Sequence, residues 1–167
     1  PEQTGKKYRC RQLPIEEKES IKWLVSYRAV AEAQKLCRNT MLVSVGDREA
    51  DLHEFFHEAL KDPCGPKVLV RAERTRNRKV EQGDEKEELW QRMKAKKVAG
   101  TLEIAVPRRG SRPARTAKLE VRFAQVVISH PIRSKLPSLK VWCVYAHEVG
   151  HAAEVKEPID WMLLTTI

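Results

Sequence analysis

The sequence has no apolar run approaching the length of a bilayer span, no CxxC pair and no internal repeat. The first absence leaves nothing that reads as a transmembrane helix, and the polar start Pro1-Glu2-Gln3-Thr4 is no signal peptide. The second leaves four scattered cysteines, Cys10, Cys37, Cys64 and Cys143, which favours a reducing, cytoplasmic setting over a disulfide framework. A starting methionine is also missing, and a chain opening on Pro1 is the expectation for a piece of a longer protein. What remains is a globular composition, 41% hydrophobic and 33% charged over 167 residues, enough for one domain with a core.

Charge is informative because of where it sits. The chain carries 32 basic against 23 acidic residues, a net charge of +9. Between Lys67 and Arg115 there are 15 basic and 7 acidic residues, so this stretch alone accounts for +8 and the remainder is close to neutral. A localised excess points to a face that binds a polyanion. On charge alone, a solvated loop rich in arginine explains it as well.

Periodicity predicts a first helix from Ile15 to about Arg38. Glu16, Glu17 and Glu19 lie in its first turn, and Trp23, Leu24, Tyr27, Val30 and Ala31 form its buried face. Met41 to Val45 reads as a buried strand. A second helix follows Gly46-Asp47 and runs to about Lys61, its stripe set by Leu52, Phe55, Phe56, Ala59 and Leu60. After a turn at Pro63 to Pro66, Val68 to Val70 is the next strand. Helix, strand, helix, strand is the order of a parallel α/β layer. Beyond Arg71 the character changes. Glu85 to Met93 is expected to be a short helix. Thr101 to Val106, Ala117 to Phe123, Gln125 to Ile128, Val141 to Tyr145 and Trp161 to Ile167 are expected as strands, mostly of an antiparallel sheet.

Asp47 directly follows a buried strand and precedes a helix. In parallel α/β sheets that carboxyl edge is where ligands and reacting groups gather, and a carboxylate there suits Mg²⁺, which takes hard oxygen ligands. From position alone, Asp47 as a helix N-cap ranks above a catalytic role.

The surrounding residues change that ranking. Val45-Gly46-Asp47-Arg48-Glu49-Ala50-Asp51 resembles the second-aspartate motif of the cut-and-paste DDE transposases of bacterial insertion sequences. Glu17-Lys18-Glu19-Ser20 with Trp23 is similar to that family's preceding helix, and Val68-Leu69-Val70-Arg71 to its next core strand. Arg112-Pro113-Ala114-Arg115 is similar to part of its β-sheet insertion, and Pro158 to Thr166 to the strand that returns to its core. The segments occur in the family's order and span nearly the whole chain.

The resemblance implies an α/β fold: part of a ribonuclease H-like core, with parallel strands and helices, carrying an antiparallel β-sheet insertion. Residues 1–14 would be a linker, 15–73 the partial core, 74–157 the mainly β insertion and 158–167 the returning strand. It implies Asp47 as the second of three catalytic carboxylates that bind Mg²⁺ or Mn²⁺. Arg71 would lie close to bound DNA, and Trp161 would stack on a base flipped out near the cleavage site; the alternatives are a surface arginine at a strand end and a core aromatic. Arg74, Arg76, Arg112 and Arg115 complete the candidate DNA contacts. The family's first aspartate and its glutamate have no counterpart between Pro1 and Ile167. One aspartate cannot build a two-metal centre, so the chain by itself is expected to be inactive. The longer protein would act as a homodimer on double-stranded transposon ends, in the bacterial nucleoid and away from membranes.

Two other readings stay open. His53-Glu54-Phe55-Phe56-His57 and His147-Glu148-Val149-Gly150-His151 both match HExxH, the zinc-protease helix pattern. The first pair of histidines is expected at the polar margin of its helix. The second is followed by small Ala152 and Ala153, with Glu154 the nearest candidate for a third ligand. A DNA-binding module without chemistry would account for the basic segment alone.

Overall fold

The computed structural model describes residues 15–110, 112–131, 136–153 and 155–167; the expected linker, 1–14, lies outside them. The fold is mixed α/β, with few helices and a mostly antiparallel sheet of eight strands. The strands are β1 (Val43–Gly46), β2 (Lys67–Arg71), β3 (Lys79–Gln82), β4 (Glu85–Glu88), β5 (Gly100–Val106), β6 (Arg115–Ile128), β7 (Leu139–Glu148) and β8 (Asp160–Thr165). Their order is β1-β2-β8-β7-β6-β3-β4, with β5 also pairing with β6. Only β1 and β2 run parallel, as the helix–strand alternation predicts. Strand β8 closes the gap between β2 and β7, so the α/β segment and the β-rich segment share one continuous sheet.

The first helix is shorter than its periodicity suggests. Ile15–Glu17 forms a 3-10 turn and the α-helix α1 runs from Ile21 to Leu36, leaving the acidic residues ahead of its first turn. Leu24 and Tyr27 are its buried residues. Tyr27 donates from its hydroxyl to the Pro66 carbonyl at 2.9 Å and meets Phe55 edge-on at 5.6 Å. Burial, with Asp62 and Glu58 nearby, pushes its hydroxyl up to about 12. The second helix, α2 (His53–Leu60), buries Phe55, Phe56 and Ala59, the stripe the spacing predicts, while Leu60 is exposed.

The segment from Glu85 to Met93 is divided. Glu85–Glu88 is strand β4, joined to β3 by a two-residue loop in which Gly83 has φ +59°. Two-residue hairpin loops need a residue in that left-handed region, and glycine enters it without strain. Only Leu89–Lys94 is helical (α3), with Leu89 and Met93 buried. In the same way the two runs expected on either side of Ala124 are one long strand, β6. Its first half pairs with β5 and its end with β3.

Residues paired in register share a face of the sheet. Val68, Val70, Met162, Leu164, Cys143, Tyr145, Val126 and Ile128 pack on one face in a single cluster with buried residues of all three α-helices. The opposite face carries Val45, Leu69, Leu163, Val144, Trp142 and Phe123. Val45 is 68% exposed, Phe123 56% and Trp142 39%. Among the described residues only one end of this face is covered, by a smaller cluster of Ala117, Leu119, Ala146 and Ile159 against Ile104, Val106 and Trp161.

The strand ends are tied by a buried carboxylate. Asp51, fully buried, accepts from Arg78 Nε at 2.8 Å and from the Glu73 backbone N–H at 2.8 Å. Arg78 also donates to the Asp51 carbonyl at 2.9 Å. Removing one partner of a buried ion pair leaves an uncompensated charge. Arg78→Met should therefore lower stability to urea by about 3–5 kcal/mol, and adding Asp51→Asn should recover part of the loss.

Candidate basic groove

The carboxyl ends of β1 and β2 and the amino end of β8 lie at one edge of the sheet. Gly46 pairs with Val70, so Asp47 and Arg71 leave their strands side by side. Arg71 pairs with Leu163 of the antiparallel β8, which brings Asp160 and Trp161 to the same edge. Gly46 sits at a close approach: a Cβ there would lie 2.4 Å from the Ala50 methyl, so the turn into Asp47 needs glycine.

A groove of about 1170 Å³ opens along this edge. Arg48, Arg71, Arg74, Arg109, Arg112, Arg115 and Lys156 line it, against two carboxylates, Glu157 and Asp160, among the described residues. Trp161 and Trp90 form its aromatic walls. The Arg71 guanidinium lies over the Trp161 ring at 5.6 Å, and that of Arg74 over Trp90 at 4.8 Å. Burial, then the neighbouring Arg48, pull the Arg71 guanidinium below its ordinary range. Like cations held this close favour a polyanion between them.

Five of the candidate DNA contacts thus come together: Arg71, Arg74, Arg112, Arg115 and Trp161 all line the groove. Arg76 does not; it points toward Asp51 Oδ2 at 3.9 Å. Asp47 is exposed beside the groove, next to the lining residue Arg48. Its Oδ1 accepts from the Glu49 N–H at 2.9 Å, capping the 3-10 turn Arg48–Ala50. Among the described residues its second oxygen has no protein partner.

The arginines differ in how free they are. Arg115 is committed to a bidentate pair with Glu148, with Nη2 to Oε2 at 2.9 Å and a second contact from Nη1 to Oε1. Glu148 Oε2 also accepts from the Ile159 N–H at 2.8 Å. Arg112 reaches Glu157 at 2.8 Å and Arg74 reaches Asp160 at 2.8 Å, but both side chains remain mostly exposed. Exposed pairs of this kind are worth about 0–1 kcal/mol, so a phosphate can displace them. Arg48, Arg109, Lys156, Trp90 and Asp160 were not singled out by sequence reasoning. Arg109 and Trp90 lie within the basic segment, whereas Arg48, Lys156 and Asp160 reach the groove only because distant parts of the chain meet there.

Neither HExxH match presents two free histidines on one helix face. His147 and Glu148 end strand β7, Gly150 turns with φ +64°, and His151 is exposed, so the histidines share no helix face. Glu148 is buried in its arginine pair, and Glu154 lies outside the described residues. His53 opens α2 but is buried, not marginal: its Nε2 lies 2.8 Å from the Pro137 carbonyl and burial lowers its pKa. Sequence spacing placed it with the polar flank because its cover, the chain at Pro137, is 84 residues away. Among the described residues no group of three His, Cys, Asp or Glu side chains converges on a metal position.

No protein-family model matches the chain. No helix among the described residues is long and apolar enough to cross a membrane.

Glu148 links the groove wall to pH. Burial raises its pKa, but Arg115 and the Ile159 N–H together outweigh burial and leave it below the ordinary value. A depressed folded-state pKa contributes stability above the unfolded value, about 4.3, which is lost as pH falls through the folded one. Glu148→Gln should therefore destabilise the chain most near neutral pH. The gap to the unaltered protein in urea unfolding should shrink below about pH 4.

Proposed function

We propose that this chain is part of the catalytic domain of a DDE DNA transposase of the bacterial insertion-sequence type, with a ribonuclease H-like core behind the groove. The longer protein cuts and joins DNA ends, and the chain by itself binds DNA without cutting it. The observation that carries this reading is the meeting of Asp47, Arg71 and Trp161 at one sheet edge, beside a groove with a large excess of arginine. These residues are distant in sequence, and the family resemblance assigns them to one site.

Asp47 fits a role as a cation ligand in this setting. Among the described residues it offers an exposed hard oxygen free of protein donors, and the cap to Glu49 orients the carboxylate. Arg48 and Arg71 beside it disfavour a bare cation, so Mg²⁺ or Mn²⁺ would be held together with DNA phosphate oxygens, as Mg²⁺ usually is. When bound, such a cation activates the attacking oxygen and neutralises the leaving one. Arg71, Arg109, Arg112 and Lys156 hold the phosphates, and Trp161 offers a stacking surface to a displaced base. Arg115 acts at one remove, by holding Glu148 and the groove wall. The remaining two carboxylates would have to come from polypeptide other than residues 1–167.

A second reading is a DNA-binding module without chemistry. It is favoured by the hydrogen bond from Glu49, which gives Asp47 a sufficient structural role as a cap.

Two measurements test these readings. Duplex DNA should bind with little sequence preference. Its slope of log affinity against log salt should flatten by about 0.9 for each phosphate contact removed in Arg71→Ala and Arg112→Ala; an unchanged slope would place the contacts elsewhere. In a longer polypeptide supplying the other carboxylates, Asp47→Ala and Asp47→Asn should both abolish strand cleavage while DNA affinity is retained. Cleavage that survives Asp47→Asn favours the binding module.

A further inference from the structure

We infer that the groove contains a second nucleotide-stacking subsite, built from Trp90, Arg74 and Asp160, which takes an unpaired nucleotide at a DNA strand end. The inference rests on the groove binding DNA. It concerns a different wall from the one formed by Trp161 and Arg71.

The two walls repeat one arrangement. Each presents a tryptophan covered by an arginine, Trp161 under Arg71 at 5.6 Å and Trp90 under Arg74 at 4.8 Å, and all four residues line the groove. Cation–π pairs occur roughly once in 70–80 residues, so about two are ordinary in a chain of this length, and what distinguishes these is their shared placement. Two facing the same cationic groove are a shared chemistry.

Trp90 is fixed as a platform. Its helical neighbours Leu89 and Met93 are buried, and its ring meets Tyr145 edge-on at 6.0 Å and 80°. Tyr145 donates to Asp160 Oδ1 at 2.7 Å, and Asp160 Oδ2 accepts from Arg74 at 2.8 Å. Ring, carboxylate and guanidinium are thus positioned before any ligand arrives, which lowers the cost of binding. Trp90 itself is half-buried, neither sealed in the core nor loose on the surface.

A flat cation already lies on the indole, so the surface suits a planar π ligand that carries negative charge at its margin. A nucleotide has that form. Its base replaces the guanidinium on the ring, and Arg74 turns to the attached phosphate. The exposed Arg74–Asp160 pair resists this weakly, because exposed ion pairs hold little free energy. Stacking on an aromatic face accepts any base. Bases inside an intact duplex are already stacked on one another, so only an unpaired nucleotide can use Trp90.

The test is fluorescence anisotropy of the 167-residue chain with two labelled DNAs, a blunt duplex and the same duplex with a short unpaired thymidine tail. The tailed DNA should bind more tightly. Trp90→Ala should weaken it by about 5- to 150-fold, the equivalent of about 1–3 kcal/mol for one stacked base, and should weaken the blunt duplex far less. Trp90→Phe, which keeps a smaller ring, should retain most of the preference and serves if the alanine variant does not fold. Equal affinity for the two DNAs, or equal weakening of both by Trp90→Ala or Trp90→Phe, overturns the subsite and leaves the groove reading standing. Absence of salt-dependent binding to the blunt duplex overturns the groove reading itself, and the subsite with it.

Discussion

The edge of the sheet that carries the groove depends on Asp51. Its carboxylate lies on the turn after β1, while both groups that hold it, the Arg78 guanidinium and the Glu73 N–H, belong to the segment after β2. Two parallel strands pair only along their length, and nothing in the ladder dictates how the chain leaves their ends. Asp51 supplies that restraint. It fixes the turn bearing Asp47 and Arg48 against the turn bearing Arg74, and so sets the spacing of cations that would otherwise repel one another. A fully buried carboxylate is tolerable only with such partners, which makes the linkage unforgiving of change on either side.

Glu148 performs the same service on the opposite wall. It joins the first residue of β6, through Arg115, to the backbone at Ile159, where the chain enters β8. The small cluster of Ala117, Leu119, Ala146 and Ile159 packs at the same place, with Trp161 against it. Trp161 is therefore both a packing residue and a groove wall, and its packing does not withdraw it from the groove. The two buried carboxylates also sort the basic segment. Arg78 and Arg115 hold structure, whereas Arg48, Arg71, Arg109 and Lys156 supply the field of the groove.

The helices lie on one face of the sheet, and the other face is apolar across five strands, from Val45 to Phe123. Parallel strands are ordinarily covered on both faces. Among the described residues the β1–β2 pair has cover on one side only, with Phe123 and Trp142 in ring contact at 6.2 Å on the open side. Large exposed apolar patches mark surfaces of interaction. The groove lies at the end of the strands, clear of the middle of this face.

Much of the architecture was legible in the residues because it is local. The stripe of Phe55, Phe56 and Ala59 specifies a helix, the apolar runs at Val43 and Val68 specify strands, and a strand followed by Gly46-Asp47 specifies a turn at the sheet edge. The burial expected of the first strand is not found, since β1 has no buried residue and Val45 is exposed. The hairpin of β3 and β4 was not legible: Glu85-Lys86-Glu87-Glu88 has no apolar alternation, and its strand character comes from pairing with β3. The site divided in the same way. Asp47, Arg71 and Trp161 were named from segments that keep a recognisable order, and the excess charge near Arg109 and Arg112 is a property of composition. Which arginines face the groove and which are bound to buried carboxylates was decided only by tertiary structure. The partners of Arg78 and Arg115 lie 27 and 33 residues away. Trp90 and Asp160 reached the groove for the same reason: sheet register and loop closure bring distant residues together, and no local periodicity encodes that meeting.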